Sequence, residues 1–365
     1  MKKTVAVALS GGIDSLVSAC LLSEMGYDVI GIHFVTGFEP LPASAESPSD
    51  RCRGIDETIF RHKADFARIE RHLGIRVEVV DISAEFRQTV VDYFISAYAS
   101  GRTPNPCLVC NRSIKFKTIL NFAKTLGAEK LATGHYAGIR EDENGLFHLF
   151  RGMDPVKDQS YFLAFLTQSQ LAAAVFPLGG MKKKDVISWA NSRNLAPVHR
   201  SESQDICFIQ DATYGDFLSR QADFKPRPGL ITDIQGRVLG SHKGLHLYTI
   251  GQRRGINCPA ADPYYVVRMD PDENLLVVGS KDDLLFSGCR VAGINWIGII
   301  PEPSSDLYTQ VRYRHGAVKS RVIPVGTGEA DVVFHHSQSA ITPGQGAVFY
   351  RNDEVLGGGF IEHGA

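Results

Sequence analysis

The chain has 365 residues, 44% of them hydrophobic and 22% charged, with 39 basic and 40 acidic side chains and a net charge of −1. That length is too great for one ordinary domain, and the composition excludes a chain too polar to bury a core. The even charge excludes a globally basic nucleic-acid binder, so any RNA surface must gather its basic residues locally.

Met1-Lys2-Lys3 is followed by only six apolar-leaning residues, too few for a secretory signal, and no apolar run is long enough for a transmembrane helix. Seven cysteines, an odd number spread over a large chain, fit a reducing cytoplasm better than a disulfide framework.

Residues 4–9 form a short apolar run closed by turn residues, which predicts a buried strand. Leu16, Ala19 and Cys20 then recur at helical spacing. Tyr27 to Val35 predicts the next strand. Gly37 to Gly54, rich in Pro, Ser and Ala, reads as a mobile surface loop. Residues 57–73 predict a helix with Phe60, Ala64 and Ala67 on one face. Arg76 to Asp81 predicts a strand, Ile119, Phe122, Ala123 and Leu126 mark a helix, and residues 130–133 predict a strand ending at Gly134-His135. Such alternation predicts an α/β domain with a parallel sheet covered by helices, and ligands beyond the C-terminal strand ends. After about residue 208 helical periodicity fades. Short alternating runs (Tyr264 to Val267, Val311 to Arg314, Asp331 to Phe334, Gly346 to Tyr350) predict two small, mainly β domains, the last a β-barrel. The expected boundaries are 1–208, 209–282 and 283–365.

Ser10-Gly11-Gly12-Ile13-Asp14-Ser15 lies between a predicted strand and a predicted helix. Glycines permit a tight turn and close approach of a ligand, and the N–H groups opening the helix favour an anion. Ser10 and Ser15 add hydroxyl donors. Asp14 is uncomfortable beside a bare phosphate and is expected to orient the loop or meet Mg²⁺. The string is neither a Walker A nor a dinucleotide fingerprint. It resembles the signature loop of the PP-loop ATP pyrophosphatases, which cleave ATP to AMP and pyrophosphate.

A second cluster is Asn105-Pro106-Cys107-Leu108-Val109-Cys110-Asn111, followed by Ile114-Lys115-Phe116. A cysteine near a helix N-terminus is expected to have a lowered pKa, with Arg112 and Lys115 acting in the same direction. A C-x-x-C pair also fits a zinc site or a redox motif, although no second ligand pair follows at ribbon spacing. Cys207, in Ile206-Cys207-Phe208-Ile209, reads by itself as a core cysteine.

These strings, with Gly134-His135-Tyr136, Lys157-Asp158-Gln159-Ser160-Tyr161-Phe162-Leu163, Tyr248 to Gly255 and Thr342-Pro343-Gly344-Gln345, resemble in their order the tRNA-specific 2-thiouridylases, over nearly the whole chain. The resemblance implies ATP binding by Ala8, Leu9, Ser10, Gly11, Gly12, Ile13, Asp14, Ser15, Phe34 and Gly134. It implies Cys110 as the nucleophile, Cys207 as the persulfide carrier and its disulfide partner, and Cys107 beside them. Asn105, Pro106 and Cys107 match the stretch that meets the target base. His135, Lys157, Asp158, Gln159, Arg312, Tyr313 and Gln345 match positions that contact tRNA or the reacting site. Many members carry Asp where this chain has Cys107. The implied reaction is ATP-dependent 2-thiolation of the wobble uridine of tRNA, with sulfur supplied by a cysteine desulfurase or a sulfur-relay protein. Sulfur either attacks directly from the Cys207 persulfide or is released by Cys110. An iron–sulfur cluster on Cys107, Cys110 and Cys207 is a further expectation to be tested.

Lys182-Lys183-Lys184, Arg253-Arg254 and the group Arg312, Tyr313, Arg314 and Lys319, placed on predicted strands, are the basic clusters that could meet RNA. His242 and His246 share i, i+4 spacing, but Gly244 between them argues against a helical metal site. His335-His336 reads as strand surface, and Cys20, Cys52, Cys258 and Cys289 as bystanders. Two rival readings are a PP-loop synthetase acting on a small molecule and a non-catalytic RNA-binding protein.

Overall fold

The computed structural model describes the chain apart from residues 1, 40–47, 199–205, 210–212, 223, 260 and 303–304. Its contacts divide the chain into two compact units. The first comprises Met1–Val90, Cys107–Gln210 and Asp353–Val355, and the second Val91–Pro106, Asp211–Asn352 and Leu356–Ala365.

The first unit holds β1 (Thr4–Ala8), β2 (Asp28–Val35), β3 (Arg76–Asp81), β4 (Lys130–Ala132), an antiparallel hairpin of β5 (Ala137–Glu141) and β6 (Phe147–Arg151), and the short β7 (Ala174–Val175). Strands β3-β2-β1-β4-β7 form one parallel sheet in that order. In β1, Val5, Ala6, Val7 and Ala8 are all buried, as expected of a strand covered on both faces. The core around it includes Leu9, Leu16, Ala19 and Leu22, with Phe66 and Ile69. The strand order reverses between β1 and β4, the point where open α/β sheets bind ligands.

Two expectations for this unit fail. The helix Pro48–Leu73 begins inside the segment read as a loop, with proline at a start that suits it, so residues 48–54 are helical. Residues 40–47 lie outside the described residues. Phe60 is 74% exposed, and the inward face is instead Thr58, His62, Phe66 and Ile69. Polar Thr58 and His62 occupy the buried stripe, so apolar periodicity alone selected the wrong face.

His148 on β6 ties the hairpin to its neighbours. Its Nδ1 lies 2.6 Å from Glu354 Oε1 and its Nε2 3.2 Å from Asp142 Oδ2. The Glu354 hydrogen bond, and then the one to Asp142, hold the His148 pKa above its ordinary value despite partial burial. A protonated imidazole between two carboxylates stabilises the fold fully below the usual histidine pKa and loses that contribution as pH rises through the elevated one. His148→Gln should therefore cost stability at pH 6, under about 1 kcal/mol for so exposed a group, and progressively less toward pH 9 in urea unfolding.

The second unit contains β8 (Gly229–Asp233), β9 (Val238–His242), β10 (Tyr265–Asp270) and β11 (Leu275–Gly279) in the order β10-β11-β8-β9. Ile231, Leu245, Tyr248, Val266, Leu276 and Val278 form its core. His242 and His246 are buried there rather than splayed toward a metal. Next come β12 (Leu285–Trp296), β13 (Asp306–Gln310), β14 (Val318–Pro324), β15 (Glu329–Ser339), β16 (Gly346–Arg351) and β17 (Glu354–Gly364). They run β12-β15-β14-β13-β16-β17, and β12 also pairs with β17, closing a six-stranded barrel around Val291, Leu307, Val322, Val332, Phe349 and Ile361. Closure leaves no open edge among these six strands. Arg312, Tyr313 and Arg314, expected on a strand, sit instead in the turn between β13 and β14. Gln310 Nε2 donates to the Tyr313 carbonyl at 2.8 Å, and the His315 amide to the Arg312 carbonyl at 3.0 Å. These bonds favour a turn over a continued ladder.

Candidate active site

Strand β1 runs directly into the Ser10–Ser15 loop, and the helix Ile13–Glu24 opens from it. Gly11 takes a φ of +81°, a conformation that favours glycine. Gly12 has an ordinary extended backbone, with φ −80° and ψ 160°. A Cβ added at Gly12 would meet only Ser10 Oγ, at 3.5 Å. The chain thus leaves a cradle over the helix N-terminus that its own packing does not demand, and amides at such a terminus suit a phosphate. Ser15 Oγ donates to the Gly12 carbonyl at 2.9 Å, and Ser18 Oγ to the Asp14 carbonyl at 2.8 Å.

Gly134, just after β4, closes on the loop: a Cβ there would lie 3.0 Å from the Asp14 carbonyl carbon and 3.1 Å from the Ser15 nitrogen. The Val198 amide donates to the Gly11 carbonyl at 2.8 Å, and His33 on β2 donates Nδ1–H to the Leu9 carbonyl at 2.7 Å. Phe34, the next residue of β2, is half-buried. Gly12→Ala should leave unfolding stability within about 0.5 kcal/mol of wild type. If the cradle takes a nucleotide phosphate, the same variant should weaken ATP binding by about tenfold or more in calorimetry.

The Asp14 carboxylate, partly exposed, is held by two side chains. Its Oδ1 accepts from Tyr136 Oη at 2.8 Å and from Lys183 Nζ at 2.8 Å, and its Oδ2 from Lys183 Nζ at 2.8 Å. Lys183 is buried while Lys182 and Lys184 are exposed, so this triplet is not the uniform basic cluster expected of it. Sequence reasoning missed Lys183 as a site residue. The available signal was the spacing of Lys183, Val186 and Ala190, which puts the lysine on the inward face of its helix.

Cys107 and Cys110 lie on one unbroken helical rod: α-helical Pro106–Cys110, π-helical Asn111–Ile119 and α-helical Leu120–Thr125. Cys110 is thus a turn inside the helix rather than ahead of it. The i→i+5 bonding of the π segment is uncommon and concentrates at functional sites. It is braced from outside. Asn111 Nδ2 donates to the Phe162 carbonyl at 3.0 Å, and Gln170 Nε2 to the carbonyls of Arg112 at 2.7 Å and Phe116 at 3.0 Å.

Cys110 and Cys207, 97 residues apart in sequence, lie near enough for their charges to act on one another and, with Cys107, to share one electrostatic neighbourhood. The expected lowered pKa is not found. Burial pushes Cys110 up to about 12, with Lys115 pulling it down and the two other sulfurs adding to the rise. Burial raises Cys107 as well. Cys207 keeps an exposed face, yet enough protein surrounds its sulfur to raise the thiol to about 11. Desolvation of the anion outweighs both the helix terminus and Lys115. Cys110 and Cys207 are not joined by a disulfide in this structure.

His135 is buried, and desolvation followed by the Lys115 charge drives its pKa well below the ordinary value. Its Nδ1 lies 2.7 Å from Thr133 Oγ1 and its Nε2 3.5 Å from Lys115 Nζ. Lysine can only donate, so Nε2 accepts and Nδ1 carries the proton.

The other expected RNA positions divide by burial. Asp158 is buried and accepts from Arg151 Nη1 at 2.8 Å and from the Gly152 amide, the Ser160 amide and Ser160 Oγ, each at 3.0 Å. Gln159 Oε1 accepts from the Tyr136 amide at 3.2 Å. Lys157 is half-buried, Tyr313 half-buried and Arg312 exposed. In the second unit, Gln345 Nε2 donates to the Thr103 carbonyl at 2.9 Å and the Pro104 carbonyl at 3.3 Å. Arg102 forms a two-pronged pair with Glu362, at 2.9 and 2.5 Å, so the backbone leading into Asn105 and Pro106 is clamped.

Among the described residues, no group of three or more His, Cys, Asp or Glu side chains is arranged to hold a metal ion. The three cysteines therefore do not present the ligand set of the expected iron–sulfur cluster. Nearness alone is not enough, since a cluster needs several thiolates aimed at one centre. No described helix is long and apolar enough to cross a membrane.

A parallel sheet with a Gly-Gly loop at its switch point, followed by a four-stranded sheet and a closed barrel, defines an α/β nucleotide-loop domain joined to two β domains. The family comparisons divide the chain in the same sense. Residues 3–211 match the tRNA methyl transferase HUP domain, residues 215–280 the tRNA methyl transferase PRC-barrel domain and residues 286–361 the aminomethyltransferase beta-barrel domain. The chain is 46% identical over 357 residues to the tRNA-specific 2-thiouridylase MnmA of Desulfosudis oleivorans, covering 98% of this chain and 94% of that protein. It is 42% identical to the protein of that name from Geotalea uraniireducens, covering 99% and 96%, and 44% identical to that of Magnetococcus marinus, covering 98% of each. The chain belongs to the tRNA-specific 2-thiouridylase family.

Proposed function

We propose that this protein is a tRNA-uridine 2-sulfurtransferase that uses ATP to replace the C2 oxygen of the wobble uridine with sulfur. The observation that carries the reading is the grouping of Cys107, Cys110 and Cys207 in the same unit as the Gly11-Gly12 loop. We assign residues 1–208 to catalysis and residues 209–282 and 283–365 to the two β domains.

The C2 oxygen of uridine is a poor leaving group. In the proposed sequence it attacks the α-phosphorus of ATP and pyrophosphate departs, leaving AMP as the group to be displaced. The loop amides and the Ser10 and Ser15 hydroxyls hold the phosphates. Mg²⁺ supplies charge neutralisation when it arrives on the phosphates, a mode that needs few protein ligands. Cys207, the most exposed of the three cysteines, receives a sulfane sulfur from a donor protein such as a cysteine desulfurase or relay carrier. Cys110 then attacks the Cys207 sulfur. A Cys110–Cys207 disulfide forms, the terminal sulfur leaves with its electron pair and adds to C2, and AMP departs. A dithiol reductant restores both thiols. The base must leave its stack to reach these groups. Asn105, Pro106 and Cys107 are proposed to meet it, and Lys157, Arg312, Tyr313 and Gln345 to meet the tRNA.

The test incubates the protein with ATP, Mg²⁺, a persulfide donor and unmodified tRNA, then digests the RNA for mass analysis. The expected product is 2-thiouridine with one AMP per thiolated base. AMP without 2-thiouridine, dependent on a small-molecule acceptor instead of tRNA, would replace this reading with a PP-loop synthetase.

A further inference from the structure

We propose that Lys183 is a positioning residue for the nucleotide step, cancelling the charge of Asp14 and locking the loop so that a polyphosphate can enter. The inference rests on the reading of Ser10–Ser15 as an ATP loop and adds a residue to it.

A carboxylate in a phosphate-binding loop is an electrostatic contradiction, since it repels the anion the loop must accept. The structure resolves that contradiction from the far side of the sequence. Lys183 stands 169 residues beyond Asp14, and its ammonium lies 2.8 Å from both carboxylate oxygens. The Lys183 side chain is only 11% exposed and that of Asp14 31%, so solvent screens the pair weakly on the lysine side. Tyr136 Oη supplies a third bond to the same carboxylate.

Lys183 is itself fixed. Its backbone amide donates to Asp154 Oδ2 at 2.9 Å, which caps the helix Lys183–Ser192. Val186 and Ala190 of that helix pack with Val17 of the loop helix and with Tyr136. The lysine therefore reaches the loop from a rigid support, as a group that sets geometry requires. Its exposed neighbours Lys182 and Lys184 remain available to RNA, whereas Lys183 is committed inward.

Calorimetry on the full-length protein should compare Mg-ATP with adenosine, which lacks phosphates, for wild type, Lys183→Met, Lys183→Arg, Asp14→Asn and the Asp14→Asn/Lys183→Met double variant. Lys183→Met should weaken Mg-ATP binding by about tenfold or more and adenosine binding by less than about twofold. Lys183→Arg should restore part of the ATP affinity. The double variant should recover most of it, because no uncompensated carboxylate remains.

Unchanged ATP affinity in Lys183→Met would overturn the inference. So would a double variant as weak as the single one, which would mean that Lys183 touches phosphate directly. Equal loss of adenosine and ATP would mark Lys183 as a structural strut only. If wild type binds neither ligand, the ATP reading itself falls and carries this inference with it, a result distinct from a failure confined to the Lys183 variants.

Discussion

Cys110→Ser should reduce tRNA thiolation by about a thousandfold or more, to the limit of detection, with overall folding preserved. Serine is nearly isosteric, but it cannot open a disulfide or persulfide bond at a useful rate. The environment of Cys110 makes the dependence on ionisation steep. With the thiol pushed up to about 12, the thiolate is a minor species at neutral pH. Its fraction should grow about tenfold for each pH unit below that value. Alkylation of Cys110 by iodoacetamide should follow that slope between pH 7 and 10, and a plateau near neutrality would contradict the buried-thiol assignment. Cys207→Ser separates donor from nucleophile. It should abolish thiolation from a persulfide donor while retaining some activity with free sulfide. Equal loss under both conditions would remove the relay step.

Asp158→Ala should destabilise the protein by about 3–5 kcal/mol, the usual result of removing one partner from a buried charge pair. The Asp158 side chain is 7% exposed, and its carboxylate is the acceptor for the Arg151 guanidinium and three further donors. Alanine leaves those groups to find other partners in a confined space. Asp158→Asn keeps an acceptor oxygen and should cost less, about 1–3 kcal/mol. Urea unfolding measures both. The alternative, that Asp158 serves mainly as an RNA contact, predicts near-normal stability with weaker tRNA binding. The neighbouring Lys157, half-buried and proposed to meet the tRNA, should behave in that second way.

Much of the catalytic-domain architecture was legible because its signals are local. An apolar run followed by Ser10-Gly11-Gly12 specifies strand, turn and helix within a few residues, and the rhythm of β1 to β4 follows from periodicity alone. The thiols were legible as types, and the family resemblance supplied their order. Their ionisation was not, because a thiol pKa depends on what surrounds it. Cys110 carries favourable neighbours in sequence, yet packing from distant segments dominates. The partner of Asp14 was hidden for a related reason: three consecutive lysines read as one solvated cluster, and only the spacing to Val186 and Ala190 marks Lys183 as the one that turns inward. Phe60 misled in the opposite direction, since an aromatic side chain at helical spacing proved exposed while His62 was buried. The π-helical register after Cys110 has no reliable sequence signature, and the turn at Arg312 is fixed by a glutamine side chain rather than by turn residues.

The division of the chain between the two units has a consequence for separability. The polypeptide leaves the first unit after Val90 and re-enters it at Cys107, the first residue of the Cys107–Cys110 pair. The excursion carries Phe94 and Tyr98, whose rings meet Phe217 and Tyr214 far along the chain. A fragment ending near residue 210 would keep both thiol segments but strip these aromatics of their cover. Such a fragment should be prone to aggregation rather than behave as a minimal enzyme. The nucleotide-loop half and the β half are therefore not modules that recombination could exchange at a single linker. The chain passes between them five times, and one of those passages ends at the residue before Cys107.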